Sequence, residues 1–358
     1  MTRFPALSSF GIPACIATCV AITGCTSLPA KLDWGSVQPI VQATVVDAGI
    51  RDLRGMYRAA LCARLQVGEP PCEEILHRLA AEPPAGTAQA RSDVSRIATQ
   101  YRIAFAPGIF SECLSDLVRP FADVENNLLA LGIRTDYLNT PGRGTSRENA
   151  AVLAQQLGAF PEDGRRVILV AHSKGMPDAL QLIADYPGLH KRIAAVVSVA
   201  GAVNGTYLAD NLKSFYRTFL AELPVPHCKG NTGDEIADLE REARMRWWFE
   251  NRQKMKVPIF TIVAAPDPER VSPAIRATYR ALAAIDPRND GQLVWYDQIA
   301  PGSYLLGYIN ADHWAIANPL VKALPFLELL FRDDVPRTAV IEAAAEVVAI
   351  VLARKERR

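Results

Sequence analysis

The sequence predicts an α/β protein built on a doubly wound, mostly parallel sheet. Short apolar runs of strand length alternate with longer segments whose apolar residues recur at helical spacing. This alternation is typical of parallel strands joined by helices that cover both faces of a sheet. The expected strands lie at 102–106, 134–138, 166–170, 193–200, 258–265 and 304–310. The expected helices between them lie at 117–131, 146–157 and 177–184.

Composition limits the class of protein. The chain has 358 residues, of which 49% are hydrophobic and 22% charged, and its formal net charge is +1. These values fit one large globular domain, alone or with appendages. A charge so near zero predicts no nucleic-acid partner. The five histidines are scattered without metal-ligand spacing, so neither a metal nor a cofactor is predicted.

The N-terminus is predicted to be a targeting segment, a lipoprotein-type signal peptide over residues 1–24. A basic start at Arg3 precedes an apolar stretch over 10–23, which is too short to span a bilayer comfortably. The residues that end it, Ile22-Thr23-Gly24-Cys25, resemble the lipobox of bacterial lipoproteins. In that family the peptide is cut before the cysteine, which is then lipidated. The resemblance implies lipidation at Cys25 and attachment to a membrane through acyl chains.

The resemblance also implies a location. Residue 26 is threonine rather than aspartate, which in Gram-negative lipoproteins favours the outer membrane, facing the periplasm or the exterior. Two alternatives stay open, an ordinary signal peptide cut near Ala30 and an uncleaved anchor.

The cysteines agree with export. Cys15 and Cys19 lie in the expected signal peptide, and Cys25 would carry lipid. The four that remain form an even number, which in an oxidising compartment predicts two disulfides. Cys62 and Cys72 flank a short turn and form the natural local pair, which leaves Cys113 with Cys228. The alternative is four buried free thiols.

Patterning divides the mature chain into segments. Helical spacing over 48–66 and 72–81 predicts an N-terminal helical hairpin. Between 205 and 256 no strand pattern occurs, and two helices, at 209–223 and 234–253, are expected to form a lid insertion whose aromatic residues are either lid core or substrate contacts. The resulting organisation is a tether and hairpin over 25–100, an α/β domain over 101–335 and a C-terminal amphipathic helix over 336–358. In that last helix, Glu342 and Glu346 argue against a membrane span.

The strongest motif follows the third expected strand. Ala171-His172-Ser173-Lys174-Gly175 lies between a strand run and a helical pattern, the context in which a G-x-S-x-G nucleophile elbow is expected. Such a turn exposes a serine at a helix N-terminus, where backbone N–H groups stabilise developing negative charge. Ala171 replaces the first glycine, a mild change because that position needs only a small side chain. The alternative is an ordinary strand-to-helix turn.

A nucleophilic serine needs a base and an acid that orients the base. In the order that goes with this elbow, both follow the serine. Of the histidines downstream of Ser173, His313 follows the last expected strand, as the base should, whereas His190 and His227 do not. Two aspartates compete as the acid. Asp267 directly follows the strand at 258–265 but is flanked by prolines, and Asp290 lies further on, in Asn289-Asp290-Gly291.

Five segments together resemble bacterial triacylglycerol lipases and related esterases over about residues 100–325. They are Phe105–Phe110, the elbow, Ala200–Asp210, Asn289–Gly291 and Ala311–His313. The resemblance implies an α/β-hydrolase fold and favours Ser173, Asp290 and His313 as the catalytic residues. It also implies that the N–H groups of Ile109 and Lys174 bind the oxyanion, although proline stands at 107 where the family has histidine. Lipases of this type often bind calcium, but no ligand set for it is apparent.

The expectation is therefore a serine hydrolase that cleaves carboxylic esters, with an ester or lipid as its substrate. Two alternatives stay open. An acyltransferase would use the same acyl-enzyme on Ser173 but pass the acyl group to an alcohol. A non-catalytic scaffold lipoprotein would keep the fold without the chemistry.

Overall fold

The computed structural model describes residues 49–84, 94–115, 118–215 and 233–357. Its centre is a sheet of seven parallel strands in the order β1-β7-β6-β5-β4-β2-β3. The strands are β1 Arg51–Asp52, β2 Tyr101–Ala106, β3 Arg134–Tyr137, β4 Arg166–His172, β5 Ile193–Val199, β6 Ile259–Ala264 and β7 Tyr304–Ile309. The doubly wound parallel sheet expected from the sequence is confirmed, and all six expected strands are present.

Helices flank the sheet on both faces. They are α1 Arg54–Cys62, α2 Cys72–Ile75, α3 Val94–Gln100, α4 Ala122–Ala130, α5 Ser146–Gly158, α6 Gly175–Asp185, α7 Tyr207–Phe215, α8 Asp234–Ala237, α9 Arg241–Asn251, α10 Arg276–Ala283, α11 Leu320–Ala323 and α12 Arg337–Glu356. Successive residues of a strand point to opposite faces. In β4, Ile168 and Val170 pack toward α1, α3, α4 and α12, and Val167 and Leu169 pack toward α5 and α6. The strands read as continuous apolar runs because both faces are covered.

The N-terminal segment belongs to this sheet. Arg51 and Asp52 pair in parallel with the start of β7, an edge strand too short for the sequence pattern to reveal. The sequence predicts that the second helix of the hairpin spans 72–81, and this prediction is wrong after the first turn, because the helix ends at Ile75. From Leu76 the chain is extended, because Leu76 bridges Ile309 and the His77 N–H donates to the Tyr308 carbonyl. The segment is therefore an edge of the α/β domain rather than a separate hairpin.

One of the two expected disulfides is confirmed. Cys62 and Cys72 are bonded, with their Cα atoms 5.3 Å apart. Cys113 is also disulfide-bonded. Cys228 lies outside the described residues, as does Cys25, so the pairing of Cys113 with Cys228 stays a prediction.

The C-terminal helix, α12, is not amphipathic as expected. The sheet and three helices surround it, and it is buried on nearly every side. Even Glu346 is buried, 2.5 Å from the Arg64 guanidinium in the turn that follows α1. The prediction of an amphipathic helix failed because the sequence does not show which charged residues will be buried in an ion pair. Among the helices of the described residues, none combines the length and apolar character that crossing a bilayer requires.

The described part of the expected lid, residues 205–215 and 233–256, is called the cap below. The expected helix at 209–223 begins at Tyr207 and lies partly outside the described residues. The expected helix at 234–253 is broken into α8 and α9, because the Leu239 carbonyl accepts a hydrogen bond from the Thr206 N–H. Its tryptophans anchor the cap to the domain, since Trp247 donates to the Gln181 side chain and Trp248 to the Val203 carbonyl.

Candidate active site

The turn between β4 and α6 has the geometry of a nucleophile elbow. Ser173 lies there with φ of +53°, in the left-handed region that non-glycine residues rarely adopt. A Cβ on Gly175 would lie 2.5 Å from the Pro107 carbonyl oxygen, so this position requires glycine. Ala171, at the first glycine position of the motif, is fully buried beside Ala106 of β2. The small side chain that the sequence analysis expected there is accommodated.

Ser173, His313 and Asp290 form a continuous hydrogen-bonded chain. The Ser173 hydroxyl lies 2.8 Å from His313 Nε2 and can donate to it. On the other side of the ring, His313 Nδ1 lies 2.7 Å from an Asp290 carboxylate oxygen and can donate to it. The His313 backbone N–H also donates to the Asp290 carbonyl at 2.9 Å, which joins the two loops directly. In this arrangement the imidazole can take the serine proton while the carboxylate fixes its tautomer.

Several donors that the sequence analysis missed orient the Asp290 carboxylate. One oxygen accepts from the N–H groups of Gln292 and Leu293, at 2.8 and 2.7 Å. The other, which faces His313, also lies 3.3 Å from Gln298 Nε2. The backbone contacts were detectable in principle, because aspartate before glycine is typical of a turn closed by the aspartate side chain. The Gln298 contact had no signal in the sequence, since it depends on the position of a separate loop.

The other two aspartates near His313 have different partners. One carboxylate oxygen of Asp267, the alternative acid, accepts from Asn310 Nδ2 at 2.9 Å. Asp312 accepts from the N–H groups of Trp314 and Ala315 and closes the turn that follows the histidine. Neither carboxylate contacts the imidazole of His313 in the structure.

The two expected oxyanion donors flank the serine. A Cβ on Gly108 would lie 2.8 Å from the Ser173 Cβ, so the loop after β2 passes directly over the nucleophile. Ile109 follows on this loop, and Lys174 is the residue that caps the N-terminus of α6. Within the described residues, neither backbone N–H donates a hydrogen bond to the protein. Both are therefore available to an anion, beside the positive end of the dipole of α6.

His172, beside the nucleophile, is a further feature that the sequence analysis did not assign. Its Nε2 lies 3.1 Å from the His313 carbonyl oxygen, to which it can donate, and its ring stands 5.0 Å from the His313 ring. Burial, reinforced by the nearby His313, lowers the pKa of His172 to about 3. The ring is therefore neutral at physiological pH and supports the His313 loop without adding charge to the site.

A cavity of about 480 Å³ opens above the serine. The cap contributes apolar side chains on one side, among them Leu208 and Leu239, and the segment after His313 contributes Trp314 and Leu320 on another. The cap tryptophans are not among the residues that line it; they pack into the apolar cluster that the sheet forms with α5 and α6. Within the described ranges, no group of three or more His, Cys, Asp or Glu side chains could hold a metal ion.

A nucleophile elbow on a parallel sheet, joined to a histidine after the last strand, defines an α/β-hydrolase of the lipase and esterase class. The structure is similar to that of a metagenomic carboxyl esterase, MGS0156, with a TM-score of 0.81 and 34% sequence identity. That match covers 88% of this chain and 97% of the esterase. The chain therefore belongs to the carboxyl esterase family of which MGS0156 is a member.

More distant structures share the fold. The mature lipase BlEst2 of Bacillus licheniformis has a TM-score of 0.52 and 20% identity, over 65% of this chain and 93% of the lipase. Lipase 1 of Pelosinus fermentans has a TM-score of 0.50 and 12% identity, over 70% of this chain and 99% of the lipase. No protein-family model matches the chain, and no protein of curated function does.

Proposed function

We propose that the protein hydrolyses carboxylic esters through an acyl-enzyme on Ser173. The observation that carries the proposal is the hydrogen-bonded chain from the Ser173 hydroxyl through His313 to the buried Asp290 carboxylate. Membership of a carboxyl esterase family supports the same reaction class. The apolar cavity above the serine favours esters with hydrocarbon groups, because such groups leave water on binding.

Acylation begins when the Ser173 oxygen attacks the acyl carbon and its proton passes to His313 Nε2. Asp290 stabilises the imidazolium that forms and remains ionised. The carbonyl oxygen becomes an oxyanion and accepts hydrogen bonds from the Ile109 and Lys174 N–H groups. When the tetrahedral intermediate collapses, the ester C–O bond breaks and His313 gives its proton to the departing alcohol.

Deacylation repeats these steps with water. His313 takes a proton from a water molecule as the water oxygen attacks the acyl carbon. Collapse of the second intermediate releases the carboxylic acid and returns the proton to the Ser173 oxygen. The acyl-enzyme is thus the intermediate that an alcohol could also intercept, which is how the acyltransferase alternative would operate.

A panel of p-nitrophenyl esters of increasing acyl length tests the proposal on a soluble form that starts near Ser27. Ser173→Ala should reduce kcat by on the order of 10⁴-fold or more, because triad members act as a unit. A fluorophosphonate probe should label Ser173 in the wild type and leave the variant unlabelled. Activity of the variant within tenfold of wild type would exclude Ser173 as the nucleophile. Product analysis with an added alcohol would separate hydrolysis from acyl transfer.

We also propose that Cys25 is lipidated and that the enzyme is an outer-membrane lipoprotein. The support is the lipobox-like sequence before Cys25 and the threonine that follows it. Cys25→Ser should abolish incorporation of labelled fatty acid and leave the protein soluble or unprocessed. Unchanged processing and unchanged fractionation with the outer membrane would indicate an ordinary signal peptide instead.

A further inference from the structure

A buried ion pair lies directly beside the nucleophile. The Lys174 ammonium contacts an Asp178 carboxylate oxygen at 2.7 Å, and the two side chains are only 1% and 2% exposed. Lys174 caps α6, the helix whose N-terminus carries the elbow, and Asp178 lies in its first turn. Charges so completely removed from water are stable only when they are paired and hydrogen-bonded. The lysine side chain is thus held in one position, although Lys174 is not among the residues that line the cavity above the serine.

The pair extends to a second helix. The other Asp178 oxygen accepts from Asn149 Nδ2 at 2.7 Å, and Asn149 is a buried residue in the first turns of α5. A Cβ on Gly144 would lie 2.2 Å from the Asn149 side-chain oxygen, so the loop before α5 also packs against this amide. Lys174 is therefore joined through one carboxylate to a helix that is separate from its own.

The same helix is joined to the cap. The N–H of Ser146, the first residue of α5, donates to an Asp238 carboxylate oxygen at 2.5 Å, and Asp238 ends the cap helix α8. Arg244 of α9 is buried and donates to the Val203 carbonyl, and both Asp178 and Asp238 act on it electrostatically. Hydrogen bonds thus run from Asp178 through Asn149 and Ser146 of α5 to Asp238 of the cap.

We propose that Lys174 is a positioning residue whose buried side chain holds its own backbone N–H in the oxyanion hole, braced through Asp178 and Asn149 against α5 and the cap. This inference rests on the proposed function, in which the Lys174 N–H binds the oxyanion. A donor must point at the oxyanion to within a fraction of an ångström, because its contribution depends on preorganised geometry. Fixing the side chain of the donor residue at its far end restricts rotation of the backbone at the elbow.

The test separates positioning from stability. Lys174→Met leaves Asp178 buried and unpaired, so it should lower both Tm and kcat. In Lys174→Met/Asp178→Asn the two charges are removed together, and the amide that replaces the carboxylate keeps an oxygen that can accept from Asn149. This double variant should recover most of the Tm while kcat stays roughly 10- to 100-fold below wild type, somewhat less than the loss of a whole oxyanion donor. KM should change little.

A second readout is specific to the oxyanion hole. Thionoesters develop negative charge on sulfur, a weaker hydrogen-bond acceptor than oxygen, so they gain less from the N–H donors. The double variant should therefore lose more activity on an ester than on the matching thionoester. A purely structural defect would lower both rates by the same factor.

The matched control is another buried pair, Arg58 with Glu82, whose side chains are 8% and 3% exposed and do not line the cavity. Arg58→Met/Glu82→Gln should leave both kcat and the ratio of ester to thionoester rates unchanged. Wild-type kcat in Lys174→Met/Asp178→Asn would overturn the positioning role, and so would an unchanged rate ratio. The Ser173→Ala result tests the proposed function separately, so the two ideas can fail independently.

Discussion

Two buried aspartates near the loop that follows β7 have different partners. Asp290 contacts the imidazole of His313, whereas Asp267 contacts the amide of Asn310. Asp267 directly follows β6, the position at which a triad acid is commonly found, and Asp290 lies beyond an intervening helix. Position after a strand is thus a poor guide here, because the partner that reaches each carboxylate determines what it can do.

One short loop supplies both partners. Residues 310–313 follow β7, and the Asn310 side chain both donates to Asp267 and accepts from its backbone N–H. Asp312 then turns the chain by accepting two N–H groups, so that His313 faces the other way, toward Asp290. The hydrogen bonds between Asp267 and Asn310 therefore hold the start of the loop, and the hydrogen bond between Asp290 and His313 orients the imidazole at its end. The comparison predicts a structural role for Asp267 and a catalytic role for Asp290.

Removing the charge at Asp290 should have the largest effect. We expect Asp290→Asn to lower kcat by about 10³–10⁴-fold with the fold preserved, because the amide no longer stabilises the imidazolium or fixes the reactive tautomer. Steady-state kinetics, together with circular dichroism to confirm folding, would measure this. A loss of less than tenfold would show that another group orients His313.

The disulfide beside the Asp267 site should affect stability but not catalysis. The segment after Cys72 supplies the Glu74 and Ile75 carbonyls that accept from Asn310. Cys62→Ser/Cys72→Ser should lower the free energy of unfolding by roughly 2–3 kcal/mol, the amount expected for so short a loop. Denaturant unfolding would measure it, and kcat should stay within about twofold. A large fall in kcat with little change in stability would show that this edge of the sheet acts on the catalytic loop.

The matched substitution at the other aspartate should have a small effect. Asp267→Asn keeps an oxygen that can accept from Asn310 Nδ2, so the free energy of unfolding should change by about 1 kcal/mol or less. Activity should remain within about threefold of wild type. If instead this variant were inactive and Asp290→Asn were active, the catalytic acid would be Asp267 and the comparison would be reversed.

The smallest expected effect is a pH dependence of stability that arises at the Asp267 site. Burial lowers the pKa of His77 to about 4 from an ordinary value of 6.5, and its Nε2 donates to the Ala265 carbonyl. Asp267 opposes this shift, whereas Arg270 and Arg58 reinforce it. Between pH 6.5 and 4 the unfolded chain binds a proton at residue 77 that the folded protein does not bind. The free energy of unfolding therefore decreases as the pH falls through this range.

A substitution isolates that contribution. His77→Gln keeps a donor for the Ala265 carbonyl but cannot titrate in this range. Its unfolding free energy should fall less than that of the wild type between about pH 7 and 4, as measured by denaturant titration at each pH. Parallel curves for the two proteins would show that His77 is not the group responsible.

Much of the fold was predictable from the sequence because it depends on local patterns. Apolar runs gave all six expected strands, since strands buried on both faces cannot contain many polar residues. The elbow was recognisable because a small residue, a serine and a glycine at fixed spacing satisfy steric limits that are local to one turn. What the patterns missed was short or nonlocal: the two-residue strand β1, the extended chain from Leu76 and the burial of α12.

The sequence by itself determined the class of protein, the turn that exposes Ser173 and the histidine that follows the last strand. It offered Asp290 and Asp267 as the leading candidates for the acid, and the resemblance to lipases favoured Asp290. Only the tertiary structure brought Asp290 to His313, because that contact depends on how the loop after α10 and the loop after β7 meet beyond the ends of the strands. The i,i+4 spacing of Lys174 and Asp178 is local, but the burial of that pair and its contact with Asn149 were likewise not readable from the sequence. Local sterics and alternating hydrophobicity are encoded residue by residue, whereas a hydrogen bond between distant side chains exists only after the core has fixed where each loop lies.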